Sequence, residues 1–249
     1  MVFDLYSQYY DVIYSQKKYS REILFITKLA NVNAPASILD LGCGTGGHDL
    51  LFAKKGFLVT GIDFSVGMIK QAIQKKNEID LPVEFHRGDI RSIRLNRTFD
   101  LVISMFAVMS YQTTNSDFSA VLATARTHLE KGSLFIFDAW YGPAVLKQKP
   151  ENRTREYKTD KGYIIRTAVP EVDLFNNKVT VHYKIQHFIG ETEIEEIKEA
   201  HSMRYFFAPK VAYFANKTGF EVIKVCPFLD PSRLPDDNDW NVTWVLQTV

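Results

Sequence analysis

The spacing of apolar and polar positions divides the chain into two parts. Ile23, Ile26, Leu29 and Ala30 recur at helical spacing behind Ser20, a good helix-capping residue, so 20–30 is expected as a helix. Residues 31–37 break the period, and 37–41 form a short apolar run suited to a buried strand. The same exchange repeats downstream. A helix is expected over 49–55 with Gly56 as its stop, then a strand over 57–62. Ser65 opens a further helix with Ile69, Ala72 and Ile73 inward. Strands are expected at 83–86 and 99–105, a helix at 117–129 with Gly132 as its stop, and a strand at 133–139. Apolar strands alternating with amphipathic helices specify an α/β fold, a doubly wound sheet with right-handed crossovers. Such sheets take ligands at the C-terminal ends of their strands.

Past Tyr141 the period changes from helical to alternating. Val179, Val181, Tyr183 and Ile185 alternate with Thr180, His182, Lys184 and Gln186, the mark of a strand with one buried and one wet face. Strands are expected at 163–169, 178–188 and 195–206, with Asn176-Asn177 as a turn. A helix over 210–218 before Gly219 and strands at 221–225 and 241–247 close the chain. The expected organisation is one domain over 1–249, with an N-terminal lid and helix at 1–34 and an antiparallel β insert at 141–206, before the last helix.

Composition narrows the partners. Charged residues nearly cancel, to a net charge of +1, which leaves no overall basic footprint for nucleic acid. No segment approaches the roughly 20 apolar residues of a membrane span. The two cysteines, Cys43 and Cys226, do not make a disulfide framework, and the N-terminus has no apolar signal core, so a cytoplasmic protein is expected. No metal site is expected. His182 and His187 fall on opposite faces of one strand, and the acidic run 236–239 lacks calcium-loop spacing. His48 and His201 are expected as surface or packed histidines. An exposed strand edge in the insert leaves room for a homodimer.

The chemistry is concentrated in the stretch ILDLGCGTGGHD, residues 38–49. Gly42, Gly44 and Gly46 let backbone approach a ligand, and the helix that follows offers free N–H groups. Asp63 stands about 20 residues on, where a carboxylate accepts from ribose hydroxyls. That spacing serves NAD(P) and S-adenosylmethionine alike, so an oxidoreductase remains an alternative at this point. Asp40 favours the second cofactor, since a carboxylate there repels a pyrophosphate and attracts an amine and a sulfonium.

The run Leu39-Asp40-Leu41-Gly42-Cys43-Gly44-Thr45-Gly46 resembles motif I of the class I S-adenosylmethionine-dependent methyltransferases. Gly61 to Ser65, Arg87 to Ile90 and Phe99 to Val102 resemble that family's later segments, in the family's order, across 36–139. The resemblance implies a Rossmann-like, seven-stranded fold and S-adenosylmethionine as cofactor, with S-adenosylhomocysteine as product. It implies that Asp40 and Gly42 lie near the cofactor's amino-acid part, that Asp63 takes the ribose, that Asp89 and Ile90 flank the adenine, and that Met105 lines the pocket beyond. Tyr14, Lys18, Cys43, Gly44, Gly46, Phe64 and Met68 complete the implied cofactor-binding set, Cys43 as a small loop filler rather than a catalytic thiol.

Methyl transfer is an in-line displacement that needs mainly proximity and orientation. No Asn/Asp-Pro-Pro-Tyr/Phe segment follows the fourth strand, where this chain reads Ser104 to Tyr111, so nucleobase and protein-amide acceptors are not expected. Tyr6, Tyr9, Tyr10, Tyr14 and Tyr19 crowd the N-terminus, where aromatic rings suit a nearby cation, either as a lid or as docking residues for the first helix. The tyrosine-rich start, the Met-Phe pocket strand and the insert resemble nucleotide-linked aminosugar N-methyl- and N,N-dimethyltransferases. That resemblance implies a small-molecule substrate and catalytic roles for Tyr10 and Tyr111, with tyrosine at 111 where relatives carry histidine. Glycine-type N-methylation is the nearer alternative.

Overall fold

The computed structural model describes residues 3, 6–79 and 81–249. The expected N-terminal lid therefore includes residues 1, 2, 4 and 5, which lie outside the described residues. The central sheet contains β1 (Ser37–Leu41), β2 (Leu58–Asp63), β3 (Val83–Arg87), β4 (Phe99–Ser104) and β5 (Leu129–Tyr141), parallel and in the order β3-β2-β1-β4-β5. The last two strands of the chain, β10 (Phe220–Pro227) and β11 (Asn241–Thr248), extend it, β11 lying antiparallel between β5 and β10. Strand order reverses at β1, which pairs with β2 on one side and β4 on the other. Crossovers diverge there and open a crevice beyond the strand ends.

Alternate side chains along the strands feed two cores. Leu39, Val102 and Phe135 face a layer with α5 (Asn115–Thr127) and α7 (Ala208–Lys217). Ile38, Leu101, Ile103 and Ile136 face α2 (Tyr19–Ala30), α3 (Gly47–Lys54) and α4 (Val66–Asn77). Each such buried aliphatic or aromatic side chain contributes about 1.5–3 kcal/mol. Helix ends are set locally. The Ser65 hydroxyl accepts from Met68 N–H, and Thr114 accepts from Asp117 N–H.

The insert is an antiparallel sheet of β6 (Arg153–Lys158), β7 (Tyr163–Asp173), β8 (Lys178–Ile189) and β9 (Thr192–Phe206). It joins the central sheet where Trp140 and Tyr141 of β5 pair with Tyr205 and Phe206 of β9. The N-terminal helix α1 (Ser7–Ile13) packs Tyr6, Tyr9, Tyr10 and Ile13 against Ile164, Ile185 and Ile197 of this sheet and Met68 of α4. Insert and α1 together roof the crevice.

The structure corrects several expected elements. Gly132 is not a helix stop. It lies inside β5 at φ +85°, where β4 advances from Phe99 to Leu101 while β5 advances from Leu129 to Leu134. The extra residues bulge outward, and only glycine takes that backbone freely. Ile73 faces solvent, and Met68 takes the inward place beside Ile69 and Ala72. Strand β6, helix α1 and the short helix α6 (Gly142–Gln148) carry no clear period and were not expected.

Candidate active site

The loop after β1 is shaped by glycine. Gly42 sits at φ +99°, and a Cβ there meets Val108 Cγ1 at 2.5 Å, so backbone and wall touch directly. Gly44 sits at φ +55° with nothing within 4 Å of where a Cβ would stand, leaving its backbone bare to the space in front. Gly44 N–H donates to Asp63 Oδ2 at 2.9 Å, and Ser65 N–H donates to Asp63 Oδ1 at 2.9 Å. These bonds brace the carboxylate across the loop, and each oxygen keeps a lone pair for a ligand.

The loop forms one end of a cavity of about 510 Å³. Gly42, Cys43, Gly44, Asp63, Phe64 and Met68 line that end. Asp89, Ile90 and Met105 line its flank, with Asp89 clamped by the Arg91 guanidinium. Tyr10, Tyr14 and Tyr111 line the roof and far end. Three expected residues stand elsewhere. Lys18 is the residue before the first turn of α2. Gly46 precedes α3 at φ +77° and packs against Phe85. Asp40 is buried behind the loop, where β1 side chains point to α3, and not in the cavity.

Asp40 is instead half of a carboxylate pair with Asp49 of α3, and Asp40 Oδ1 and both Asp49 oxygens lack a donor among the described residues. Burial pushes both carboxyls up, and on Asp40 the neighbouring charge of Asp49 adds to it. One shared proton is the arrangement this geometry permits. Burial also raises Asp63, against the lowering pull of the Ser65 and Gly44 N–H groups. Burial also raises the thiol of Cys43, which borders the cavity.

The far end is aromatic. Tyr10 packs at a tilt against Tyr14, with ring centres 4.7 Å apart, and Phe106 closes on Tyr14 edge-on at 5.0 Å. The Tyr10 hydroxyl has no hydrogen-bond partner among the described residues, and burial raises its ionisation well above the usual range. The Arg166 guanidinium donates to the hydroxyls of Tyr6 and Tyr14 from β7. Tyr9 binds the Glu195 carboxylate and His187, pinning α1 to the insert. The lid and docking readings of the N-terminal tyrosines thus coexist. Tyr6 and Tyr9 dock, and Tyr10 and Tyr14 also face the cavity.

Glu199, which the sequence did not single out, belongs here, and so does His201, expected only as a surface or packed histidine. Tyr111 Oη is 2.9 Å from His201 Nδ1, and His201 Nε2 is 3.0 Å from Glu199 Oε2. His201 also lines the cavity, as do Tyr183 and Trp140. The signal was the alternation Ile197, Glu199, His201, Met203, which puts all four on one face of β9. His48, also expected as a packed histidine, is buried against Glu22 at 2.7 Å.

Residues 38–132 match the methyltransferase domain family. Within 38–132 the chain carries a methyltransferase domain. A curated relative, the dTDP-3-amino-3,4,6-trideoxy-alpha-D-glucopyranose N,N-dimethyltransferase of Streptomyces venezuelae, is 33% identical over 138 residues, 54% of this chain and 56% of the relative. The match thus spans little more than half of that relative's length. The methyltransferase fold extends further. An S-adenosylmethionine-dependent methyltransferase from Clostridium acetobutylicum superposes with a TM-score of 0.81 at 19% identity, covering 96% of both chains. The S-adenosylmethionine-bound amino pentose methyltransferase of Micromonospora echinaspora superposes at 0.76 and 19% identity, covering 100% of this chain and 98% of its own. The residues at the methyltransferase domain's loop fit that cofactor. Gly44 leaves room for it, Asp63 keeps free acceptor capacity, and aromatic rings line the way to the far end.

Proposed function

We propose that this chain is an S-adenosylmethionine-dependent N-methyltransferase whose acceptor is the amine of a nucleotide-activated aminosugar. The observation that carries the reading is one cavity that joins a glycine and carboxylate end to a tyrosine-rich end. The similarity to aminosugar dimethyltransferases over half the chain supports the choice of acceptor.

When bound, S-adenosylmethionine supplies a methyl group on a sulfonium sulfur that an amine lone pair displaces. In this reading Asp63 holds the ribose, Asp89 and Ile90 flank the adenine, and Gly42, Cys43, Gly44, Phe64, Met68 and Met105 shape the slot. Tyr14 and Phe106 form an aromatic collar that suits cationic groups of either partner. Tyr10 offers an unengaged hydroxyl to the acceptor amine. The roof of α1 and insert covers the cavity and holds the two partners together, and proximity then supplies much of the acceleration.

Calorimetry of the purified chain with S-adenosylmethionine, S-adenosylhomocysteine and NADH tests the cofactor half. Micromolar binding of the first two and none of the third is expected. Tight NADH binding without the others overturns it. A homodimer through the insert edge and a cytoplasmic location remain part of the same proposal, tested by sedimentation and by fractionation of the source cells.

A further inference from the structure

We propose that Tyr111, His201 and Glu199 form a proton relay that draws a proton from the acceptor amine, Tyr111 touching the amine and the other two acting through it. The inference rests on the amine reading above.

The geometry sets each donor. Glu199 Oε2 accepts Phe3 N–H at 2.8 Å and Oε1 accepts Tyr6 N–H at 3.1 Å, so the carboxylate is placed as an acceptor. Burial works against its charge, but hydrogen bonds from His201, Phe3 and Tyr6 hold its carboxyl below the usual range. An ionised Glu199 accepts a hydrogen bond from His201 Nε2–H. His201 Nδ1 is then bare and accepts the phenol hydrogen of Tyr111. Tyr111 oxygen keeps its lone pairs for an amine N–H. The phenol is raised well above its usual range by burial, then by Tyr183, Tyr14 and Glu199, so it does not ionise alone and has to pass its hydrogen on as it gains one.

The transfer balances. The N–H bond of the substrate ammonium breaks and its electron pair stays on nitrogen as the attacking lone pair. The proton joins Tyr111 oxygen, the Tyr111 hydrogen moves to His201 Nδ1, and the imidazolium rests against Glu199. The surroundings hold the ring in place. Phe3 meets it edge-on at 4.6 Å, Tyr183 at 4.9 Å, and Tyr6 lies at 5.6 Å. The titratable and charged groups facing the relay are Tyr6, Tyr10 and Tyr14 from the N-terminal segment, Tyr183 from β8, Arg166 from β7 and Glu199 itself. Arg166 opposes the imidazolium and Glu199 favours it. His201 and Glu199 are positioning residues in this scheme.

The test is the pH profile of kcat, with a nucleotide-linked aminosugar as acceptor, for wild type, His201→Phe, Tyr111→Phe and their double variant. At a pH where the acceptor is an ammonium, each single variant should lose about a hundredfold or more in kcat, within the range of general base catalysis. S-adenosylhomocysteine affinity should stay within about twofold of wild type, since neither side chain braces the loop or Asp63. The defect should shrink as pH rises and the amine arrives neutral, and the double variant should be no worse than either single one. Glu199→Gln, a second variant that preserves shape, should lower kcat over the same pH range as His201→Phe, because the imidazolium formed in the transfer loses its counter-charge. Long-range proton–nitrogen NMR of the 6 histidines should assign His201, by its loss in the variant, as the neutral Nε2–H form. A His201→Phe enzyme with wild-type kcat, a defect of equal size at every pH, or His201 in the Nδ1–H form overturns the relay alone. Wild type that binds S-adenosylmethionine and methylates no amine overturns the amine reading, and the relay with it.

Discussion

Replacing Asp63 by alanine probes the hinge of the site. Its two oxygens accept Gly44 N–H and Ser65 N–H at 2.9 Å each, so the side chain fixes the glycine loop while presenting acceptors to the cavity. A hydrogen bond to a charged group contributes about 1.5–3 kcal/mol, which corresponds to a loss of roughly 10- to 150-fold in affinity. Water reaches the abandoned Gly44 N–H through the cavity that Gly44 lines, so the fold should lose less than the ligand does. Asp63→Asn should also weaken binding, because its amide NH₂ has to face Gly44 or Ser65 N–H. Calorimetry with S-adenosylhomocysteine measures the loss, and thermal unfolding of the free protein separates it from damage to the loop. A dissociation constant equal to that of wild type would refute the ribose role of Asp63.

Other outcomes follow from single contacts. Burial pushes the Asp138 carboxyl up to about 6, although it accepts Ala107 N–H. The folded state thus holds this proton more tightly than the unfolded chain does. Its contribution is full below about pH 4 and is lost as pH rises through 6, on the order of 3 kcal/mol. Asp138→Asn, whose carbonyl still accepts from Ala107, should remove that part of the slope and be the more stable protein at pH 7.5; urea titrations with parallel profiles would contradict this. Gly42→Ala should cost about 2 kcal/mol or more, from positive φ and the clash with Val108. Adding Val108→Ala should recover the steric part, and thermal melts that show no recovery would place the damage elsewhere. Tyr10→Phe should lower turnover while leaving cofactor affinity unchanged, and steady-state rates equal to wild type would reduce Tyr10 to packing.

Strands β1 and β2 were legible because each is a short apolar run ended by a glycine or an aspartate, and the alternation of strands with amphipathic helices carried the reading to β3, β4 and β5. The place of Asp63 beside the glycine loop was legible because both rest on a local spacing. Asp40 was misread in place, though its residue type was seen. Its proximity to the loop in sequence did not reveal that alternation on β1 turns it toward Asp49 and away from the cavity. His201 and Glu199 were hidden because they reach Tyr111 from 90 and 88 residues away along the chain, across a sheet whose inner face read as plain core. Helix α1 was invisible to periodicity. Its tyrosines are amphipathic, and only the insert sheet decides which of them dock.

The nitrogen that receives the methyl group decides between the acceptor classes. Incubating the protein with methyl-labelled S-adenosylmethionine and an equimolar set of amines, including a dTDP-linked 3-aminosugar and glycine, tests this most directly. Label on the sugar nitrogen, recovered with S-adenosylhomocysteine, is the predicted result. Label on glycine alone, or no transfer from a protein that binds the cofactor, would contradict it.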